Sequence, residues 1–175
     1  VVASEESISY VDNIPKGIIF RIDEGGNSMP VCIEGVFGRN HIYASLASLA
    51  LSYVLKLNML DSINALKNYD VPPGRMSLLK GINETLIIDD SYNSSPFACE
   101  SALKTLGGVK SMGPARNAEV IISAGGRKIA ILGDMLELGK HTEEAHKNVG
   151  KIVKESLGEN GVLIVVGSRA RKIKE

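Results

Sequence analysis

Charge of either sign in excess is what this chain most plainly lacks: 20 Lys and Arg are matched by 20 Asp and Glu. No global field draws it to polyanions or anionic lipid, and no basic block carries interleaved aromatics, which excludes a dedicated nucleic-acid binder. Cysteine is scarce. Cys32 and Cys99 stand far apart without metal-ligand spacing, so both read as small apolar residues in a reduced setting. No apolar run reaches the roughly twenty residues that a membrane-spanning helix needs, and the first residues lack a secretory-signal pattern. A soluble, cytoplasmic protein with no nucleic-acid partner and no membrane insertion is expected. What is present is ordinary core material. With 44% apolar and 23% charged residues over 175 positions, one domain, or a small domain plus part of another, can be built.

Patterning divides the chain. Residues 1–13 mix apolar and acidic types and read ambiguously. Residues 18–22 and 31–34 have the composition of strands around the turn Asp23-Glu24-Gly25-Gly26-Asn27, which predicts a β-hairpin. Ile42, Leu46, Leu49, Ala50, Tyr53 and Val54 recur at helical spacing within 42–57, and a second helix is expected over 60–69 with Asp61 as its amino-terminal cap. Val71-Pro72-Pro73-Gly74-Arg75 ends both and marks a domain boundary. The pattern then changes. Strands at 76–80 and 85–89 flank a turn. A helix over 96–106 takes Ser94 or Ser95 as its cap and Pro96 in its first turn. An extended connection over 107–127 holds a short strand, Val120-Ile121-Ile122, and Gly125-Gly126-Arg127 reads as a turn. A strand over 128–132, an amphipathic helix over 142–157, a strand over 162–166 and the start of another helix complete the order. Such alternation predicts right-handed crossovers and a parallel sheet.

Two strand ends carry the chemistry. Leu86-Ile87-Ile88 runs into Asp89-Asp90-Ser91-Tyr92-Asn93. Ile129-Ala130-Ile131-Leu132 runs into Gly133-Asp134-Met135-Leu136-Glu137-Leu138-Gly139. Buried strands that deliver carboxylates and turn-formers to the carboxyl edge of a sheet place them where open α/β folds bind ligands.

In this order the segments resemble the Mur ligase family of bacterial wall synthesis. Gly38-Arg39-Asn40-His41 approximates the family's Gly-x-His-Asn segment, and Pro73-Gly74-Arg75 matches its Pro-Gly-Arg linker. Asp89 to Asn93 matches Asp-Asp-Ser-Tyr-Asn. Leu132 to Gly139 matches Leu-Gly-Asp-Met-x-Glu-Leu-Gly, followed by His146 and Gly150. The likeness runs from about residue 16 to 170, and the last two motifs together favour the branch that adds D-alanyl-D-alanine to UDP-N-acetylmuramoyl-tripeptide.

The resemblance implies an α/β fold. Residues 1–72 would close the central ATPase domain with a β-hairpin and helices, and 73–175 would form a truncated, Rossmann-like carboxy-terminal domain with a mostly parallel sheet. It also implies an ATP-dependent acid–amino-acid ligase using Mg2+, with UDP-N-acetylmuramoyl-tripeptide and D-alanyl-D-alanine as partners. The family departs from this sequence in two ways. Asn40-His41 is swapped in order, with Ala44 where an asparagine is usual, and no Gly-x-x-x-x-Gly-Lys-Ser/Thr loop or magnesium-binding acids are found. The UDP-binding domain and phosphate loop are expected outside these residues, and no turnover is expected from this chain alone. Another Mur-type ligase, or a non-catalytic nucleotide-binding module, is the alternative.

Carried over residue by residue, His41 would approach adenine, Arg75 a phosphate and Asp90 the ribose. Asn93, Asp134 and Glu137 would lie toward the dipeptide, with Asp134, Glu137 and His146 as catalytic candidates and no metal ligand in the chain. Each has a plainer reading. Asp90 and Asn93 also suit a turn, Asp89 is read chiefly as structural, and Arg75 suits an exposed proline turn. Asp134 suits a helix cap, Glu137 a surface ion pair, and His146 a structural histidine whose spacing returns it to the loop before its helix. His141 is read as solvated.

Overall fold

Strict alternation governs the first sheet. Ile18, Phe20 and Ile22 point inward from one strand and meet Ile33, Val31 and Met29 of the next in antiparallel register. Period-two patterning turns one face of a strand apolar, and burying each such side chain is worth about 1.5–3 kcal/mol. The computed structural model describes residues 1–12, 14–82, 85–110 and 127–175. It forms two compact units, Val1–Asp89 and Asp90–Glu175.

The first unit opens with strands β1 (Val2–Val11), β2 (Ile14–Glu24) and β3 (Asn27–Glu34), ordered β1-β2-β3. The hairpin between β2 and β3 is tighter than the sequence suggests: Glu24 pairs with Asn27, which leaves Gly25-Gly26 as a two-residue turn, both at positive φ. Helix α1 (Arg39–Val54) buries His41, Ile42, Ser45 and Leu49. Helix α2 (Met59–Ala65) is capped by Asn58, whose side chain accepts from the amides of Leu60 and Asp61 at 2.9 and 3.3 Å. Asp61 is therefore not the cap: the helix begins two residues earlier and Asp61 sits in its first turn, where a carboxylate suits the helix dipole. Strands β4 (Ser77–Lys80) and β5 (Leu86–Asp89) pair antiparallel. The start of β4 is tied to the segment between β3 and α1 through Phe37 N–H on the Met76 carbonyl at 3.0 Å and Leu78 N–H on the Gly35 carbonyl at 2.8 Å.

The second unit contains α3 (Pro96–Gly108), β6 (Ile129–Leu132), α4 (Thr142–Leu157) and β7 (Val162–Val165), then a 3-10 turn, Ala170–Lys174. Ser95 caps α3, its hydroxyl accepting from Ala98 N–H at 3.2 Å, with Pro96 at the first helical position. β6 and β7 pair in parallel, Ile129 with Val162 through Leu132 with Val165, and α4 is their crossover. α4 presents His146, Val149, Val153 and Leu157 to a core shared with Cys99, Leu103, Ala130, Met135, Ala170 and Ile173.

The architecture is mixed α/β, and its described pairings are mostly antiparallel, with β6–β7 the parallel pair. The expected parallel order fails at β4–β5 for a simple reason: the short link there permits a hairpin, whereas a parallel partner needs a crossover of a dozen residues or more. The expected strand at 120–122 and the turn at Gly125-Gly126 lie outside the described residues. Among the described residues no helix is long and apolar enough to cross a membrane.

Candidate functional site

The two candidate histidines fall into separate units, His41 in the first and His146 in the second, while Asp90 to Asn93 and the loop after β6 both belong to the second. In the first unit His41 lies in the first turn of α1 and is 7% exposed. Its Nε2 is 3.0 Å from the Arg75 carbonyl oxygen and its Nδ1 is 3.0 Å from the Tyr69 hydroxyl. A carbonyl only accepts, so Nε2 carries the proton and Nδ1 accepts from Tyr69. Burial lowers the His41 pKa, partly offset by the bond to the Arg75 backbone. The ring meets Tyr69 edge-on at a centroid distance of 5.7 Å. His41 and Arg75 are thus brought together, but through the backbone of Arg75, whose side chain is exposed. Tyr69 was not singled out by sequence; it lies 28 residues from His41, beyond any local signal.

In the second unit Asp90 and Asn93 lie in the segment that leads into α3. Asn93 Oδ1 accepts the Ser94 N–H at 2.9 Å, the turn role open to it from the start. Asp90 adds to burial in raising the Cys99 thiol to about 11, so Cys99 is an inert part of the core. Cys32 is half-buried, its sulfur 3.6 Å from the Ser9 hydroxyl. Asp89 closes β5 opposite Ser77.

The loop after β6 is more heavily constrained. Asp134 Oδ1 accepts the Ala170 N–H at 2.6 Å and its carboxylate lies against the Cα of Gly167. It is a cap, as one reading had it, for the turn after β7 instead of for its own helix. Met135 is buried, and its N–H donates to His146 Nε2 at 3.1 Å. His146 Nδ1 is 2.6 Å from the Thr142 carbonyl, so this ring is neutral with its proton on Nδ1. The spacing does return His146 to the loop. Glu137 sits in the left-handed region at φ 62, is exposed, and has no hydrogen bond or ion pair among the described residues, so the surface ion pair considered for it is not formed. Of the two carboxylates, then, Asp134 is spent on the fold and Glu137 is presented outward. His141 is exposed and lines a groove of about 280 Å³ with Pro96, Glu100 and Glu144 between α3 and α4. A larger groove, about 520 Å³ between α1 and α2, holds none of the candidate residues. Among the described residues no group of three or more His, Cys, Asp or Glu is placed to hold a metal ion.

The profile of the Mur ligase glutamate ligase domain matches residues 74–175. UDP-N-acetylmuramoyl-tripeptide–D-alanyl-D-alanine ligase of Escherichia coli (strain K12) is 34% identical over 118 residues, 67% of this chain and 23% of that protein. The Bacillus subtilis (strain 168) ligase of the same name is 26% identical over 118 residues, with the same shares of 67% and 23%. The fold is that of the MurF ligase of Thermotoga maritima, solved in complex with ADP: TM-score 0.74 at 22% identity, covering 98% of this chain and 34% of that one. The chain spans about a quarter of the length of the curated relatives. From the extent of the domain match, the chain belongs to the Mur ligase family.

Proposed function

We propose that the chain is part of an ATP-dependent ligase that adds D-alanyl-D-alanine to UDP-N-acetylmuramoyl-tripeptide in the cytoplasm. ATP would phosphorylate the terminal carboxylate of the tripeptide. The amine of the dipeptide would then attack the acyl phosphate and release phosphate. The observation that carries this reading is the loop at the carboxyl end of β6, where Asp134, Met135 and His146 fix the backbone and Glu137 is left facing outward. A rigid loop with one outward carboxylate suits an amine nucleophile that must be held and aimed, since such catalysis works through positioning and charge.

The remaining roles follow the same reading. Asp90 holds the ribose and Arg75 a phosphate, a task that suits a permanently charged planar group. Asn93 and Glu137 face the dipeptide, with Asp134 behind them. His41, with both nitrogens engaged, meets adenine only through its ring or its helix. ADP in the Thermotoga relative supports a nucleotide in this fold. Mg2+ would be held mainly by other parts of the enzyme, since no donor set for it is found among the described residues. The domain boundary is proposed after residue 72, supported by a family match that begins at 74, and the β6–β7 pair is proposed as the nucleus of a Rossmann-like parallel sheet.

The test is ADP release by the protein encoded at the whole locus, with UDP-N-acetylmuramoyl-tripeptide and a panel of amino substrates. D-Alanyl-D-alanine is expected to be required. Release that depends instead on a diamino acid and the dipeptide precursor moves the protein to the ligase adding the third stem residue. Absence of release with every pair leaves the nucleotide-binding module.

A further inference from the structure

We infer that His146 is a positioning residue, one imidazole that staples both ends of the loop carrying Glu137, and not a carrier of protons. The inference rests on the reading of that loop as part of the amino-substrate site.

His146 is fully buried, 0% exposed, and both of its nitrogens are committed. Nε2 takes the N–H of Met135, two residues before Glu137. Nδ1–H is given to the carbonyl of Thr142, the first residue of α4. The loop's entry and exit are thereby tied to the same ring. Between them Leu138 accepts the His141 N–H at 3.0 Å, and Gly139 accepts the Thr142 hydroxyl at 2.7 Å. Outside them Asp134 is tied to Ala170. These bonds leave the backbone of residues 135–142 little freedom. Within that frame Glu137 occupies a left-handed conformation that a non-glycine residue holds only when its neighbours enforce it.

A general base needs a nitrogen that reaches its proton. Nε2 here already accepts from a backbone amide that cannot reverse its role, and Nδ1 donates to a carbonyl that cannot donate. A proton arriving at Nε2 would set N–H against N–H. The ring can hold the loop or exchange protons, and its partners select the first.

The experiment is steady-state kinetics on the whole ligase with His146→Ala and His146→Gln, the amide supplying one donor and one acceptor. For the alanine variant kcat/KM for the amino substrate is expected to fall about 10–100-fold, the scale of a misplacement near 1 Å. KM for ATP should stay within about twofold. The glutamine variant should recover much of the loss, with both limbs of its pH–rate profile unmoved. Loss or displacement of a limb in the glutamine variant makes His146 a proton carrier and overturns the inference. Unchanged kinetics in a folded alanine variant overturn it equally. Should the alanine variant fail to fold, 15N shifts of the His146 ring in the wild type decide: a neutral ring with its proton on Nδ1 across the active pH range supports the staple, and a ring that charges in that range overturns it. A wild type that releases no ADP with any amino substrate overturns the functional reading itself, and the inference falls with it; an active wild type leaves only the inference in question.

Discussion

Each of the two units encloses one histidine with both nitrogens bonded, and the two rings use opposite tautomers. His41 donates from Nε2 to a carbonyl and accepts at Nδ1 from a hydroxyl. His146 donates from Nδ1 to a carbonyl and accepts at Nε2 from a backbone amide. The difference lies in the second partner. The Tyr69 hydroxyl can turn and accept if His41 takes up a proton, whereas the Met135 amide has no such option. His41 joins elements far apart in sequence with a forgiving contact. His146 closes a local loop with an unforgiving one. The lesson is that a buried histidine is defined by whether its partners can change role, more than by how deeply it is buried.

The comparison predicts unequal costs. His146→Ala opens a fully enclosed cavity and orphans the buried Met135 N–H, an expected loss of about 4 kcal/mol. His41→Ala leaves Tyr69 and the Arg75 carbonyl nearer to solvent and should cost about half as much, roughly 2 kcal/mol. The chain offers a convenient readout. It has no tryptophan, and four of its five tyrosines, Tyr10, Tyr43, Tyr53 and Tyr69, belong to the first unit. In urea, tyrosine emission follows that unit while far-UV circular dichroism follows both. His146→Ala should move the dichroism transition and barely touch the tyrosine one; equal shifts from the two alanine variants would erase the distinction drawn here.

A second contrast sets packing against propensity. Alanine in place of a helical glycine ordinarily gains up to about 1 kcal/mol. Gly150 lies inside α4, where a Cβ would collide with the Ile173 carbonyl oxygen of the 3-10 turn after β7. Gly150→Ala should therefore reverse the usual sign and cost about 2–3 kcal/mol, the range of overpacking against backbone. A stabilised variant would mean that the terminal turn gives way freely. Asp134 tests the same turn from the other side. Asp134→Ala loses the acceptor for Ala170 N–H and should cost about 1.5 kcal/mol, and Asp134→Asn, which keeps an oxygen in place, much less. Thermal unfolding of the pair separates the bond from the charge.

Much of this was legible in the sequence, and the gaps have physical causes. Ser95, Pro96 and the α4 stripe announce themselves because caps and helical periodicity are local. β1 did not. Glu5 breaks its alternation in a left-handed conformation where the register slips between Ser4 and Ser7, and exposed Ser and Glu side chains hide the strand. Asp61 was the expected cap of α2, and Asn58, three residues earlier, holds that place, because cap-forming residue types alone do not say which amides a side-chain oxygen will reach. The return of His146 to its own loop is an eleven-residue matter and was readable. The partners of His41 lie 28 and 34 residues away, and only the fold brings them close. Glu137 and Asp134 look equivalent in the motif. What separates them is Ala170, 36 residues beyond Asp134.

The smallest expected effect concerns acid. His41 has a lowered pKa because burial disfavours its charged form, while in the unfolded chain it titrates near the ordinary value of about 6.5. Below that value the unfolded state binds a proton that the folded state resists. Stability of the first unit should therefore be level above about pH 6.5 and decline as pH falls from there through the depressed folded value. The Tyr69 hydroxyl softens the decline, because it can turn to accept from the charged ring. Tyr69→Phe removes that option along with one hydrogen bond. It should cost about 1 kcal/mol at neutral pH and steepen the decline in acid, read from tyrosine-emission midpoints at pH 7.5 and 5.5. His41→Gln should flatten the same interval. If it keeps the wild-type slope, the acid sensitivity belongs to other groups, and the forgiving contact has no consequence that folding can feel.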